Sequence, residues 1–302
     1  MCDRNQIVLI DINFHRALAI KMMVVSATIV STAGLIFRSL DAIDAFEVVF
    51  FRGLALTLSM IMIISFVYKD TALKATRSIG YSGLLGAAFF TGAQTFYVFA
   101  FSNTTVANST FTIATAPFIT AFLAWLVLRE IISKITLVAM VSACFGVLFI
   151  VLADVTSEGK LGIAFAFLTA CCFSCFAVIL RYNKNVEMLP VLLFTGIFSM
   201  AIGLIFGEWK GMPLLSDVGL CFLWGGILQG VGQSLLVLST KVLKAAEVPL
   251  IMLLEFTLGP VWVWLVYDEN ISLGTLFGGS LIFISIFGFA LFEINKKKLF
   301  RI

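Results

Sequence analysis

Ten apolar runs, each close to twenty residues long, follow one another from residue 20 to residue 292. An α-helix needs ~20 mostly apolar residues to cross the hydrocarbon core of a bilayer. A chain that repeats this length ten times has little left for anything else. The runs fall at residues 20–38, 46–67, 79–101, 105–127, 132–153, 161–180, 190–207, 217–239, 246–266 and 272–292. The links are short, and the one near Ser102–Thr104 suits a turn between antiparallel helices. Composition agrees. Of 302 residues, 61% are apolar and 12% charged, where an ordinary soluble domain carries about 25% charge. Half the usual charge cannot cover a water-facing surface of this size. Soluble globular, disordered, collagenous and disulfide-scaffold chains are excluded together. Unbroken runs in place of alternating ten-residue segments argue against a β-barrel. The expected fold class is an all-α polytopic membrane protein with ten transmembrane helices.

Lys and Arg orient such a chain. Sixteen of the twenty basic residues fall in the N-terminal tail, the links after spans 2, 4, 6 and 8, and the C-terminal tail. Arg38, Lys160 and Lys210 fall on the other side, and Arg52 lies within a span. Both termini are therefore expected in the cytoplasm, with the protein multi-pass in the cytoplasmic (inner) membrane. The net charge of +3 is no nucleic-acid signature, because its location matters more than its sign. Residues 1–19 lack a small-residue cleavage site, so the first run is expected to be retained. Of the six cysteines, all but Cys2 sit in apolar runs and read as packing residues.

The second half of the chain repeats the first. At an offset of 143, Ser31 falls on Ser174, Arg38 on Arg181, Phe51 on Phe194 and Gly53 on Gly196. At an offset of 139, Gly86 falls on Gly225, Gln94 on Gln233, Glu130 on Glu269 and Thr136 on Thr275. The unit holds five helices. Five is odd, so the second copy enters the membrane from the opposite face, and the copies form two inverted five-helix repeats. Inverted repeats are the architecture of many secondary transporters, because exchanging the conformations of two similar halves exchanges the side to which a site opens. The expected organisation is an N-terminal tail over 1–19, a first repeat over 20–153, a linker over 154–160, a second repeat over 161–293 and a basic C-terminal tail over 294–302.

The segment FEVVFFRG (Phe46–Gly53), the run YVFAFSNTTVANSTFTIATAPFITAFLAWLVLRE ending at Glu130, and the run AAEVPLIMLLEFTLGPVWVWLVYDE ending at Glu269 resemble the EamA family of the drug/metabolite transporter (DMT) superfamily. The resemblance covers about residues 18–293. It implies a permease for small metabolites, commonly amino acids or related compounds. One departure concerns span 9. The family often has Glu-Pro there, whereas this chain has Glu255-Phe256 with the proline at Pro260.

Two charges lie within spans, Arg52 in span 2 and Glu255 near the middle of span 9. A charge at a helix centre costs about 2.5–3.5 kcal/mol on the insertion scale, so each needs a partner or water. Arg52 is a candidate to hold a carboxylate or other anionic group of a substrate. Glu255 is a candidate for a cationic or amino group, or for proton coupling. Fixed interhelical hydrogen bonds are the alternative use of both. Span 4 carries Asn108, Thr112 and Thr115 on one face. Span 3 carries Phe90, Gln94 and Tyr97, and span 8 carries Gln229, Gln233 and Leu236. The substrate-binding candidates are Arg52, Gln94, Tyr97, Asn108, Thr112, Gln233, Glu255 and Trp262, the last placed to stack on a substrate. Pro117 and Pro260 are the expected helix kinks. Glu130 and Glu269 close spans 4 and 9 against the helix macrodipole, which calls for basic partners; Arg129 and Lys134 stand near the first. Gly203/Gly207 and Gly274/Gly278 are small-residue pairs that allow close helix approach, and span 10 is a candidate contact for a homodimer.

The single histidine, His15, lies in the N-terminal tail, and no GxxxxGK[ST] loop occurs. No cofactor, metal or catalytic residue is expected. The expected function is a secondary transporter that moves a small polar metabolite by alternating access. Spans 3, 4, 8 and 9 should build its cavity, with spans 1, 2, 6 and 7 closing it. The alternative is an integral membrane enzyme acting on lipid-linked substrates, for which the loops offer only the acidic pair Asp41 and Asp44.

Overall fold

A computed structural model describes residues 16–40, 43–104, 109, 112–152, 160–209, 211, 213–267 and 273–299, and the regular structure among them is helical. Asn108 and Glu269 lie outside the described residues. The first half contains α1 (Arg16–Val30), α2 (Ala33–Arg38), α3 (Ala45–Tyr68), α4 (Ala72–Ser78), α5 (Gly80–Asn103), α6 (Ala116–Leu128) and α7 (Lys134–Leu152). The second contains α8 (Lys160–Tyr182), α9 (Val191–Phe206), α10 (Leu215–Phe222), α11 (Gly230–Ser239), α12 (Glu247–Met252), α13 (Leu254–Tyr267) and α14 (Leu273–Leu299). A π-helical turn, Leu223–Gln229, joins α10 to α11. Helix α1 begins inside the stretch read as a tail, and α14 runs on into the basic C-terminal stretch.

Among the described residues, five helical stretches are long and apolar enough to cross a membrane: Arg16–Arg38, Ala45–Ser78, Gly80–Asn103, Lys160–Tyr182 and Leu215–Ser239. Shorter apolar helices cover Ala116–Leu128, Lys134–Phe149, Val191–Phe206 and Leu276–Phe292. Their outward faces carry exposed Met62, Phe66, Phe122 and Phe277. Such a surface is unsuited to water and natural against lipid. Helix α3 starts at a capping box, in which the Asp44 carboxylate accepts from the amide of Phe46 and Glu47 accepts from the amide of Asp44. The cap satisfies amide groups that would otherwise be orphaned and fixes where Arg52 enters the bundle, two turns on.

The packing repeats when the halves are exchanged. Helix α5 lies on α8, and α11 lies on α1. Helix α6 also packs on α8, and α12 and α13 on α1. The pairs α3·α9 and α7·α14 map onto themselves. At the α3·α9 crossing the glycines that the repeat aligns face each other. A Cβ on Gly53 would come within 2.9 Å of the Gly196 carbonyl, and a Cβ on Gly196 within 2.9 Å of the Gly53 carbonyl. Other small residues also bring helices of this chain together, Gly203 against Phe50 and Gly146 against the Gly278 carbonyl. Gly53→Ala should therefore force α3 and α9 apart, at a cost of roughly 1–3 kcal/mol for overpacking. The melting temperature in detergent should fall by several degrees. Gly34→Ala, where a Cβ meets nothing within 4 Å, is the control and should not lower it.

Candidate functional site

Both long apolar runs that hold the centre of the bundle are broken, and at positions the repeat aligns. In the first half the helix is interrupted by a turn at Ala114–Thr115, before α6 restarts at Ala116. In the second it is interrupted at Leu253, between α12 and α13. The offset of 139 that pairs Gln94 with Gln233 also pairs Ala114 with Leu253. At the first break the Thr115 hydroxyl donates to the Thr112 carbonyl at 2.7 Å. Pro117 then occupies the first turn of α6, where its missing N–H costs nothing. It starts a helix instead of kinking a continuous one. At the second break the Leu253 amide bonds to Leu250, three residues back. The break thus comes seven residues before Pro260, which lies within the continuous backbone of α13. One consequence is that Glu255 stands in the first turn of a helix, where the macrodipole favours a carboxylate.

Between the two breaks lies a cavity of about 90 Å³. Engineered cavities of about 150 Å³ hold a benzene-sized ligand, so this smaller space takes a ligand of that size only once its walls part. Its wall is formed by Val30 and Ala33, by Phe90, Ala93, Gln94 and Tyr97 of α5, by Ile113 and Ala116, by Thr169 and Phe173 of α8, by Trp224, Gln229 and Gln233, and by Pro249, Met252, Leu253 and Glu255. Helices α1 and α8 therefore line the cavity, where the sequence had them closing it. Each half contributes equivalent elements.

Two polar groups define the cavity. On one side the Arg52 side chain, only 2% exposed, passes behind the wall. Its Nη2 donates to the Gln94 carbonyl at 3.1 Å and to Gln94 Oε1 at 3.2 Å. Gln229 Nε2 donates to the same Oε1 at 2.9 Å. The guanidinium lies over the Trp224 ring, 4.5 Å from its centroid, a cation–π contact that helps to offset lost hydration. Arg52 Nη1 is buried without a hydrogen-bond partner among the described residues, as is Gln233 Oε1. The π-helical turn makes this arrangement possible. A Cβ on Gly225 would lie within van der Waals overlap of the Arg52 carbonyl, so only glycine lets the turn approach α3. On the other side Tyr97 donates its hydroxyl to Glu255 Oε1 at 3.1 Å. Among the described residues no ion pair joins Arg52 to Glu255.

Of the residues singled out in the sequence, Gln94, Tyr97, Gln233 and Glu255 line the cavity, and Arg52 reaches it through Gln94 and Trp224. Thr112 caps the break at Thr115 and does not line the cavity. Trp262 donates to the Ser31 hydroxyl at 2.7 Å, which ties α13 to the turn after α1 and takes its indole N–H away from the cavity. Phe173 and Trp224 had no polar signal to mark them, and the hydroxyl of Thr169 is spent on the Phe165 carbonyl of its own helix. Glu130 finds its basic partner in Arg181, at 2.7 Å, and not in the neighbouring Arg129 or Lys134.

The sequence matches the profile of the EamA-like transporter family twice, over residues 17–152 and 160–291. A curated protein of Clostridium kluyveri described as an uncharacterized transporter is 24% identical over 286 residues, spanning 88% of this chain and 89% of that protein. One solved crystal structure superposes with a TM-score of 0.76 at 16% identity, covering 92% of this chain and 99% of the other. That likeness concerns the fold.

Proposed function

The chain belongs to the EamA-like transporter family, and from that premise we propose that it is a secondary transporter carrying a small polar metabolite, such as an amino acid or related compound, across the cytoplasmic membrane. In this reading the ten apolar runs are ten spans in two inverted five-helix repeats, with both termini cytoplasmic. The observation that carries it is the cavity between the two broken helices, with an incompletely bonded guanidinium on one side and a carboxylate on the other. The two charges do not neutralise each other; Glu255 faces the cavity, and Arg52 lies behind Gln94 and Trp224 in its wall. An anionic group of the substrate reaches Nη1 of Arg52 once Gln94 or Trp224, which screen it from the cavity, shifts. An amino or cationic group takes Glu255, which already has one oxygen on Tyr97. Phe90, Phe173 and Trp224 supply apolar walls. The halves interlock into two equivalent groups, α5 and α6 on α8 and α11 to α13 on α1, so rocking one group against the other exposes the site to alternate sides without dismantling it. Family membership lends no support to the enzyme alternative.

The test is counterflow. Purified protein in liposomes loaded with unlabelled candidate metabolites should accumulate the matching labelled compound transiently, and that compound should also raise the melting temperature. A panel of zwitterions, anions and cations that gives no counterflow and no thermal shift would overturn the reading.

A further inference from the structure

We propose that a layer of charged and hydrogen-bonded side chains at one end of the bundle is a gate that locks the group of α5, α6 and α8 to the group of α1 and α11 to α13 in this conformation; the proposal rests on the alternating-access reading above. The layer gathers the start of α1 and the links after α3, α6, α8 and α11. Arg16 of the first half pairs with Glu247 of the second at 2.5 Å. Tyr68 of the first half donates to Glu187 Oε2 at 2.7 Å, while Lys241 holds Glu187 Oε1 at 2.7 Å. Glu130 of the first half accepts from Arg181 at 2.7 Å and from the amide of Ala245. Lys244 donates to the Ile131 carbonyl across the same seam. Arg181 also donates to the carbonyls of Thr240 and Lys241, which ties α8 to the link after α11. Arg16–Glu247 lies within the group of α1 and α11 to α13, and Glu130–Arg181 within the group of α6 and α8. The bonds from Ala245 to Glu130, from Lys244 to Ile131, from Lys241 to Glu187 and from Arg181 to Thr240 and Lys241 join the two groups and cannot survive if these separate at this end.

The chemistry suits a gate better than a permanent weld. The opposite end is held across the halves by aromatic contacts, Phe46 with Phe206 and Phe50 with Trp209. Apolar surfaces lose their stabilisation outright when water enters. A buried ion pair has already spent most of its attraction on desolvation, and water solvates its parts when it opens. A polar layer therefore keeps the closed and the water-filled states close in energy, as alternation demands. Glu187 is the keystone. Its side chain is 2% exposed, and its two oxygens serve opposite halves.

The experiment is hydrogen exchange on purified protein in lipid nanodiscs, without ligand, comparing the native chain with Glu187→Gln and Tyr68→Phe. Both variants should speed exchange about tenfold or more at residues 128–134 and 239–247. Both should slow it at the other end, in residues 99–103 and in Leu215–Phe222, because opening one end closes the other. Tyr68→Phe removes one of the two bonds that hold Glu187 and no charge, so it reports on the gate even if Glu187→Gln fails to fold. Faster exchange confined to the altered end, with no reciprocal slowing, would show a structural brace and overturn the gate. The readout needs no substrate. Reciprocal exchange without counterflow sinks the transport reading and keeps the gate, whereas counterflow with unchanged exchange sinks the gate alone.

Discussion

Replacing Arg52 by methionine is expected to abolish ligand-induced stabilisation and flux while leaving the purified protein folded. The two halves of this expectation come from one observation. The guanidinium is buried, has no carboxylate partner, and leaves Nη1 without a hydrogen bond. What it does have is two bonds to Gln94 and the face of Trp224. Removing a cation held only by neutral groups relieves desolvation, so an apolar residue of similar length should be tolerated or even stabilising. Gln94 Oε1 keeps its bond from Gln229, so no acceptor is orphaned. A substrate anion, by contrast, loses the cation that stands behind Gln94 and Trp224 of the cavity wall. Hydrogen bonds to charged groups are worth about 1.5–3 kcal/mol, so affinity should fall about tenfold to a hundredfold or more. Arg52→Lys keeps the charge but not the planar fork that reaches Gln94 and lies on Trp224, and should bind with intermediate affinity. The check is a paired measurement of melting temperature and ligand affinity. A variant that melts far below the native chain yet binds normally when folded would make Arg52 a packing residue.

The same residue shows how far the sequence could be read. A charge inside an apolar run is conspicuous from composition alone, and so is its counterpart in Glu255. Gln94 and Gln233 were legible because the repeat aligned them, and Tyr97 because it shares a face with Gln94. The ends of the helices that gather in the charged layer followed from the alternation of links along the chain. What could not be read was geometry that depends on a neighbour. Trp224, Phe173 and Thr169 look like ordinary members of their runs, and only the packing of α8 and of the π-helical turn brings them to the cavity. The π turn itself answers a close approach of Gly225 to the Arg52 backbone, which no local pattern announces. Proline drew attention to positions 117 and 260, but the breaks lie at Ala114–Thr115 and Leu253. Backbone interruption here follows the repeat more closely than the prolines. Glu130 illustrates a third limit. Near sequence neighbours suggested Arg129 or Lys134, while the fold supplied Arg181 from the other half. The pairing joins the two residues whose repeat-related counterparts are Glu269 and Arg38.

Glu255→Gln is the second substitution with a large expected effect, and it separates two roles that one carboxylate can play. Glutamine keeps an oxygen to accept from Tyr97 in place of the 3.1 Å bond, so the local structure should persist. It removes the negative charge permanently, as protonation would do reversibly. If Glu255 binds an amino or cationic group, affinity for substrates carrying one should fall about tenfold to a hundredfold, and affinity for analogues lacking that group should be unchanged. If Glu255 also carries the coupled proton, a second change follows in liposomes with an imposed pH gradient. The native chain should accumulate substrate against its concentration gradient when the gradient favours proton flow. The variant should equilibrate substrate without accumulating it, and its counterflow at saturating substrate should be insensitive to pH between about 5 and 8. A glutamine side chain does not titrate in that interval, so any remaining pH dependence belongs to another group. Lost accumulation with retained counterflow assigns the proton to Glu255. Lost affinity with retained accumulation assigns the substrate to Glu255 and the coupling elsewhere. A variant that accumulates and binds like the native chain would remove Glu255 from both roles and leave its bond to Tyr97 as a tie between α5 and α13.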